Sequence, residues 1–428
     1  MRRRLAVVVL AAALAAGVPG CSGESGAEVV TVLGSWTGDE QAAFQRVLDG
    51  FTRETGIPTR YQGTRAQNQV LRGDLQQGTP PEVAVLSNPA ELAGYARSGE
   101  LKPLDAILGA EAAQAYSRPW LKLQQLGLGA MYAVAVKADL KSIVWYAPKT
   151  FTGPEPATWD QLLTTSRQLT ASGQRPWCLG MGAPPNSGFP GTDWIEDILL
   201  HRAGPRVYSD WAAGTLPWTD PAMRAAWQSW GELVLAPDAV RGGSTAALLT
   251  SFADAGKAMF AEPPGCVWEH LGSFAIGGYG ALPGPPVPDR DFRFFPFPGA
   301  GAGPSEVSAD LAAMFHDTPG ARRLMVYLAS EAGQRIWPSG GTTFSVHQRL
   351  VGQGVYGSDV TRRIATTLAQ GTDLCFDASD LMPSAMSSAF YQAVLEYLAH
   401  PDRLPTLLAE LDSVRVGIGR EQWLDLPC

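Results

Sequence analysis

The segment that most constrains this chain runs from Gly129 to Lys149, G-A-M-Y-A-V-A-V-K-A-D-L-K-S-I-V-W-Y-A-P-K. It opens as an uncharged β-run, Met131 to Val136. Lys137, Asp139 and Lys141 then arrive at a spacing of two, which puts them on one face of an extended chain. A second apolar run, Ile143 to Tyr146, follows at once. Three charges between two buried runs cannot lie unpaired in a core. They are expected to line a solvated crevice, with the strand leaving one lobe, crossing a cleft and entering another.

A chain of 428 residues is long enough for two lobes. Acidic side chains number 41 against 33 basic ones, which argues against a nucleic-acid partner. The 13 Trp outnumber the 11 Tyr, and such a surplus suggests planar faces for stacking beside the ordinary use of Trp as core filler.

Residues 1–20 carry the marks of a leader: Arg2, Arg3 and Arg4, then an apolar run from Leu5 to Ala16 too short to cross a bilayer. Val18-Pro19-Gly20-Cys21 resembles the bacterial lipoprotein signal, which implies acylation at Cys21. Loss of the leader removes three Arg and no acid, taking the net charge from −8 to −11. Residues 21–28 are expected to be a flexible tether. The other cysteines, Cys178, Cys266, Cys375 and Cys428, allow three pairings, of which Cys178–Cys266 with Cys375–Cys428 is favoured in an oxidising compartment. No C-x-x-C occurs and the five His are scattered, so neither a metal nor a cofactor is expected.

The start of the mature chain alternates β-runs (Val29 to Leu33, Ile57 to Tyr61, Val83 to Leu86) with helical patterns that end at Gly56, Gly78 and Gly99. This βαβαβα order predicts parallel pairing and an α/β lobe. Ligands of such sheets collect at the carboxyl ends of strands, just where Trp36, Arg65 and Ser87 fall. Beyond the crossing segment, helices are expected over Trp159 to Ala171, Thr192 to Ala203 with Thr192 or Asp193 as N-cap, Pro221 to Leu235 and Ser244 to Ala255. Short strands are expected at Trp177 to Met181 and Ala258 to Ala261. The Gly/Pro-rich Leu282 to Pro304 is expected to make a second crossing, and Ala309 to Phe315 to resume as a strand. The remaining chain patterns as helices.

In that order, several motifs together resemble the extracellular solute-binding proteins of bacterial ABC transporters, in the branch that includes maltose- and α-glucoside-binding lipoproteins. They are G-S-W-T-G-D-E-Q-A-A-F at 34–44, Y-Q-G-T-R at 61–65, P-P-E-V-A-V-L at 80–86, K-A-D-L-K-S-I-V-W-Y-A-P-K at 137–149, P-W-C-L-G at 176–180, G-T-D-W-I-E-D-I-L-L at 191–200, A-D-L-A-A-M-F at 309–315 and F-D-A-S-D-L-M-P at 376–383. The resemblance implies the two-lobed, type II periplasmic-binding-protein fold of class α/β, with a ligand cleft between lobes joined by crossing strands. The N-terminal lobe would hold 29–137 and 305–345, and the C-terminal lobe 138–304 and 346–428.

It also implies a sugar site of acids and bases for charge-assisted hydrogen bonds, with aromatic platforms under the rings. Trp36, Glu40 and Arg65 would come from the first lobe, and Lys137 and Asp139 from the crossing strand. Asp193, Trp194, Trp268 and His270 would come from the second lobe. Asp310 would sit on the returning strand, and Tyr391 where maltose-binding proteins place an aromatic. Ordinary structural roles compete at each: core packing for Trp194, packing on a disulfide for Trp268, capping for Asp193 and a helix-dipole role for Glu40. Glu196 and Asp197 could in principle be a hydrolase acid pair, but neighbours on a helix point about 100° apart, so a solvated helix face is expected there instead. The implied function is capture of an α-glucoside or related oligosaccharide by a lipid-anchored monomer, for delivery to a membrane permease. Glycoside hydrolysis, or binding of another polar solute, is the alternative.

Overall fold

A computed structural model describes residues 29–426 and 428. The leader, the tether and Cys21 lie outside the described residues. One sheet has six strands, five of which, β1 (Val30–Gly34), β2 (Thr59–Gly63), β3 (Val83–Leu86), β4 (Ala133–Leu140) and β8 (Ser305–Met314), follow the order β2-β1-β3-β8-β4. β1 pairs in parallel with both β2 and β3, as alternating strands and helices require. The first helix, Gly38–Thr55, buries Phe44, Val47, Leu48 and Phe51 on one stripe and stops at Gly56, whose φ of 74° suits a residue without a Cβ.

A smaller sheet has the order β6-β5-β7, from β5 (Ile143–Tyr146), β6 (Trp268–His270) and β7 (Arg293–Pro296). Only Lys141 and Ser142 separate β4 in the large sheet from β5 in the small one. The chain returns between Pro296 and Ser305. The two crossings are tied together: Lys141 N–H donates to the Glu306 carbonyl (2.8 Å), Glu306 N–H to Ser142 Oγ (2.7 Å) and Phe297 N–H to the Ser142 carbonyl (2.8 Å). A last strand, β9 (Leu374–Phe376), was not anticipated. It pairs in parallel with Ser305–Val307 at the root of β8. The disulfide Cys375–Cys428 fastens β9 to the end of the chain, and Cys178–Cys266 closes the other favoured pair.

The tryptophan surplus is mostly core. Trp177, Trp194, Trp211, Trp218, Trp227, Trp230 and Trp268 pack into one apolar cluster around the small sheet. At its centre lies the helix Phe189–Ala203, whose residues from Pro190 to Leu200 are all buried. Two expectations fail here. The helix begins at Phe189, with Pro190 in its first turn, so neither Thr192 nor Asp193 caps it. Glu196 and Asp197 lie on no solvated face: both are fully enclosed.

Elsewhere Gly256–Phe260 forms a 3₁₀ turn instead of a strand at Ala258 to Ala261. Trp177 makes only isolated bridges, to Val240 and Trp268. The helix expected over Ser244 to Ala255 is broken, because Ser251 turns its hydroxyl to cap a second short helix, Phe252–Ala255. Among the described residues no helix is long and apolar enough to cross a membrane.

Candidate functional site

Two lysines spaced four residues apart on the crossing segment organise two acidic clusters. Lys137 lies opposite Asp310 across the β4–β8 ladder. Its ammonium is 3.3 Å from Asp139, 3.7 Å from Asp310 and 4.0 Å from Glu40 in the first turn of Gly38–Thr55. Arg65, just past β2, reaches the other oxygen of Glu40 at 2.7 Å. Asp139 also accepts from the Ser273 hydroxyl at 2.8 Å. The crevice is therefore not solvated as expected. Lys137, Asp139 and Lys141 are 7 %, 4 % and 4 % exposed, and salt bridges replace the water.

Burial disfavours the charged form of Lys137, but Asp139, Asp310 and Glu40 outweigh it and raise its pKa. For Asp310, burial is the largest influence, joined by Asp139 and Glu40 against Lys137, and its carboxyl is pushed up to about 6.

Lys141 belongs to the second cluster. Its ammonium lies 2.8 Å from Asp193 on the helix Phe189–Ala203 and 2.9 Å from Asp377 just after β9. Burial opposes ionisation of Asp377. Even so, Lys141, the Ser379 hydroxyl and the Asp380 N–H hold it below the usual range. Asp193 has less help: burial outweighs Lys141, Asp377 adds repulsion, and its pKa rises to about 7. Asp380 is pushed up by burial first, and then by acids of both clusters, Asp377 and Asp193 on one side and Asp310 on the other.

Glu196 and Asp197 are fully engaged. Glu196 accepts from the Ala378 and Ser379 N–H groups (2.6 and 3.3 Å). Asp197 accepts from His270 (2.7 Å), His201 (3.2 Å) and the Ser142 hydroxyl. Burial raises the Asp197 pKa, but the two imidazole contacts outweigh it and bring it down to about 2.

Of the anticipated residues, Glu40, Arg65, Lys137, Asp139 and Asp310 come together around the first lysine, and Asp193 joins the second. Tyr391 is half-buried; burial raises its pKa, with Asp380 and Asp377 next, and it hydrogen-bonds Ser379. Gly188 passes so near that a Cβ there would lie 2.3 Å from the Tyr391 carbonyl.

The indoles do not join them. Trp36 is packed on Phe44 and Trp337, Trp194 on Trp177 and His270, and Trp268 on Phe151, Trp177 and Phe295, each at most 2 % exposed. None presents a face to the clusters. His270 serves Asp197 instead.

The half-buried aromatics at the clusters are Phe189, Phe252 and Phe274, with centroids 5.0 to 6.3 Å apart. Both ammoniums lie over Phe274, Lys137 at 5.9 Å and Lys141 at 5.6 Å. Sequence reasoning passed over Lys141 as a site residue, and also Phe189, Phe274, Asp377, Asp380 and Glu306. The quoted F-D-A-S-D-L-M-P stretch contained two of them.

The acids of the second cluster could also hold an ion, since carboxylate oxygens of Asp193, Glu306 and Asp377 all lie within 4.8 Å of one another. The first cluster offers donors and acceptors side by side, as recognition of hydroxyl groups needs.

Residues 34–335 match the family model described as bacterial extracellular solute-binding protein. The chain belongs to this family. Within it, the chain is 35 % identical over 392 residues to the "Osmoprotective compounds-binding protein GgtB" of Synechocystis sp., covering 90 % of this chain and 92 % of that protein. It is 31 % identical over 396 residues to the "Alpha-glucosides-binding periplasmic protein AglE" of Rhizobium meliloti, covering 87 % and 83 %. Among solved structures it is similar to the bacterial solute receptor AcbH, with a TM-score of 0.77, 17 % identity and coverage of 91 % and 98 %. Maltose-bound MalE3 of T. maritima gives 0.70, at 14 % identity and 92 % and 100 % coverage. The two-lobed type II architecture is thus common to this solute-binding protein and those receptors.

Proposed function

We propose that this chain is the solute-capturing subunit of an ABC importer and binds an α-glucoside or a related glycosidic solute. In this reading it is a monomer anchored through acylated Cys21 to the outer face of the cell membrane, and hands its ligand to a permease. The N-terminal lobe comprises 29–137 with 305–345, the C-terminal lobe 138–304 with 346–428, and closure bends the chain near Lys141-Ser142. One observation carries the reading: the Lys137 ammonium gathers Glu40 and Asp310 of the first lobe with Asp139 of the second, itself bonded to Ser273, into one polar seam at the crossing. Relatives named for osmoprotective compounds and for α-glucosides, matched over nearly their whole lengths, support the ligand class.

Glu40, Arg65, Lys137, Asp139 and Asp310 would take hydroxyls by charge-assisted hydrogen bonds. Tyr391 would close on the ligand from the other side, with Asp193 acting through its ion pair to Lys141. A ligand that bridges the lobes favours the shut form by its differential affinity for it. Binding without catalysis fits a seam whose adjacent acids, Glu196 and Asp197, are already occupied by backbone, imidazole and hydroxyl donors.

Calorimetry with trehalose, maltose, sucrose and isomaltose tests the proposal. At least one is expected to bind, and a null result across a broad saccharide panel would sink it. Incubation with malto-oligosaccharides is expected to yield no shorter products; their appearance would favour a glycoside hydrolase.

A further inference from the structure

Glu306 is not used by the reading above, and its setting is unusual. It lies at the root of β8, in register with Cys375 of β9. Its backbone is fully engaged, the N–H donating to Ser142 Oγ and the carbonyl accepting from Lys141. Its side chain is 0 % exposed, and neither carboxyl oxygen has a hydrogen-bond partner. The second oxygen of Asp193, Oδ1, is equally buried and equally without a partner.

The Lys141 ammonium engages the Oδ2 atoms of Asp193 and Asp377. It leaves Asp193 Oδ1 and both Glu306 oxygens unanswered. Glu306 is thus a fully enclosed carboxyl group with no donor to answer either oxygen. Such a group needs a proton or a cation.

The geometry favours a cation. Three carboxylates from three separate elements bring oxygens within 4.8 Å of one another. Oxygens no farther apart than this can all reach one ion at bond lengths of roughly 2.4 Å, the calcium type. All the ligands are oxygens, which suits a hard ion and not a soft one. Charge permits it too. A divalent ion beside Lys141 would make three positive charges, still fewer than the carboxylates of Asp193, Glu196, Asp197, Glu306 and Asp377 that are packed there.

We propose that Asp193, Glu306 and Asp377 hold a hard divalent cation of the calcium class beside the Lys141 ammonium. The ion joins the returning strand, the central helix and the turn after β9, and so braces the place where the chain passes between sheets. The inference stands apart from the identity of the solute.

The test uses the mature chain, treated with chelator and dialysed, in calorimetry and thermal melts with calcium chloride and then magnesium chloride. Wild type is expected to take one calcium per chain and to melt at least about 2 °C higher at saturation, with a weaker response to magnesium. Glu306→Gln keeps the size of the side chain and is expected to lose both calcium effects. Asp193→Asn is the second variant, should the first not fold, and carries the same expectation. A wild type that neither binds calcium nor shifts its melt overturns the proposal and leaves a protonated Glu306. A folded variant that binds calcium like wild type overturns it as well, by placing the ion elsewhere.

Discussion

Lys137 and Lys141 are two turns of the pleat apart on the same segment, yet they meet opposite circumstances. Around Lys137 the acids grade outward, from Asp139 at 6 % side-chain exposure through Asp310 at 14 % to Glu40 at 42 %. Around Lys141 everything is sealed: Asp193 is at 2 % and Asp377 at 3 %. An ion pair's worth depends on what remains when a partner leaves. In the graded cluster, water or a ligand hydroxyl can replace a lost partner. In the sealed cluster nothing can, so removal strands a buried charge. The first cluster is suited to exchanging partners, and the second to holding the fold together.

The largest expected effect follows directly. Lys141→Met should cost about 3–5 kcal/mol in urea unfolding, the usual penalty for breaking a buried pair. Lys137→Met should cost clearly less, because Glu40 and Asp310 can turn toward solvent. Equal losses for the two variants would break the comparison.

Glu269 sharpens it as a buried acid with no cation at all. Its carboxyl accepts from the Tyr279 hydroxyl, and burial pushes it up to about 7. Folded protein therefore holds this proton more tightly than unfolded protein does. Its stability contribution is greatest below about pH 4.5 and is lost as pH rises through about 7, with a span near 3 kcal/mol. Asp193, also raised to about 7, adds a slope of the same sign. The difference between wild type and Glu269→Gln in melts from pH 5 to 8 isolates the Glu269 share. Parallel curves would mean that its proton is held no more tightly in the fold.

Much of the contrast was legible in sequence, but not all. The period-two charges fixed a common face, and the βαβαβα order fixed parallel pairing. The depth of burial was not legible, because it depends on partners far along the chain. Asp193 is sealed by Asp377, and Glu196 by the backbone of Ala378. Local periodicity at 192–200 carries no trace of either, so a solvated face was the natural expectation for Glu196 and Asp197.

The indoles are buried for a related reason. A Trp suits a sugar platform or a core equally well by composition, and only its neighbours decide. Trp268 opens β6, an edge strand of the small sheet, and packs between Phe151, Trp177 and Phe295. The partly open rings at the clusters are Phe189, Phe252, Phe274 and Tyr391, of which only Tyr391 was anticipated.

On the ligand side, Lys137→Met should weaken solute binding by about 1.5–3 kcal/mol, the range for a charge-assisted hydrogen bond. Calorimetry against whichever sugar binds wild type reads this directly. An unchanged affinity would remove the first cluster from the site, even if the stability contrast held.

The smallest expected effect belongs to Arg65. Its guanidinium is 51 % exposed and pairs with a Glu40 that is 42 % exposed. Solvent screens such a pair, so Arg65→Ala should change unfolding free energy by less than about 1 kcal/mol. A positioning role would still appear in binding, because Glu40 is shared between Arg65 and Lys137. Freed from Arg65, Glu40 can turn fully toward Lys137 and compete with ligand hydroxyls for its donors. The expected signature is therefore weaker solute binding with an almost unmoved melt. A melt that falls as far as that of Lys141→Met would mean that the outer edge of the first cluster is as structural as the sealed one.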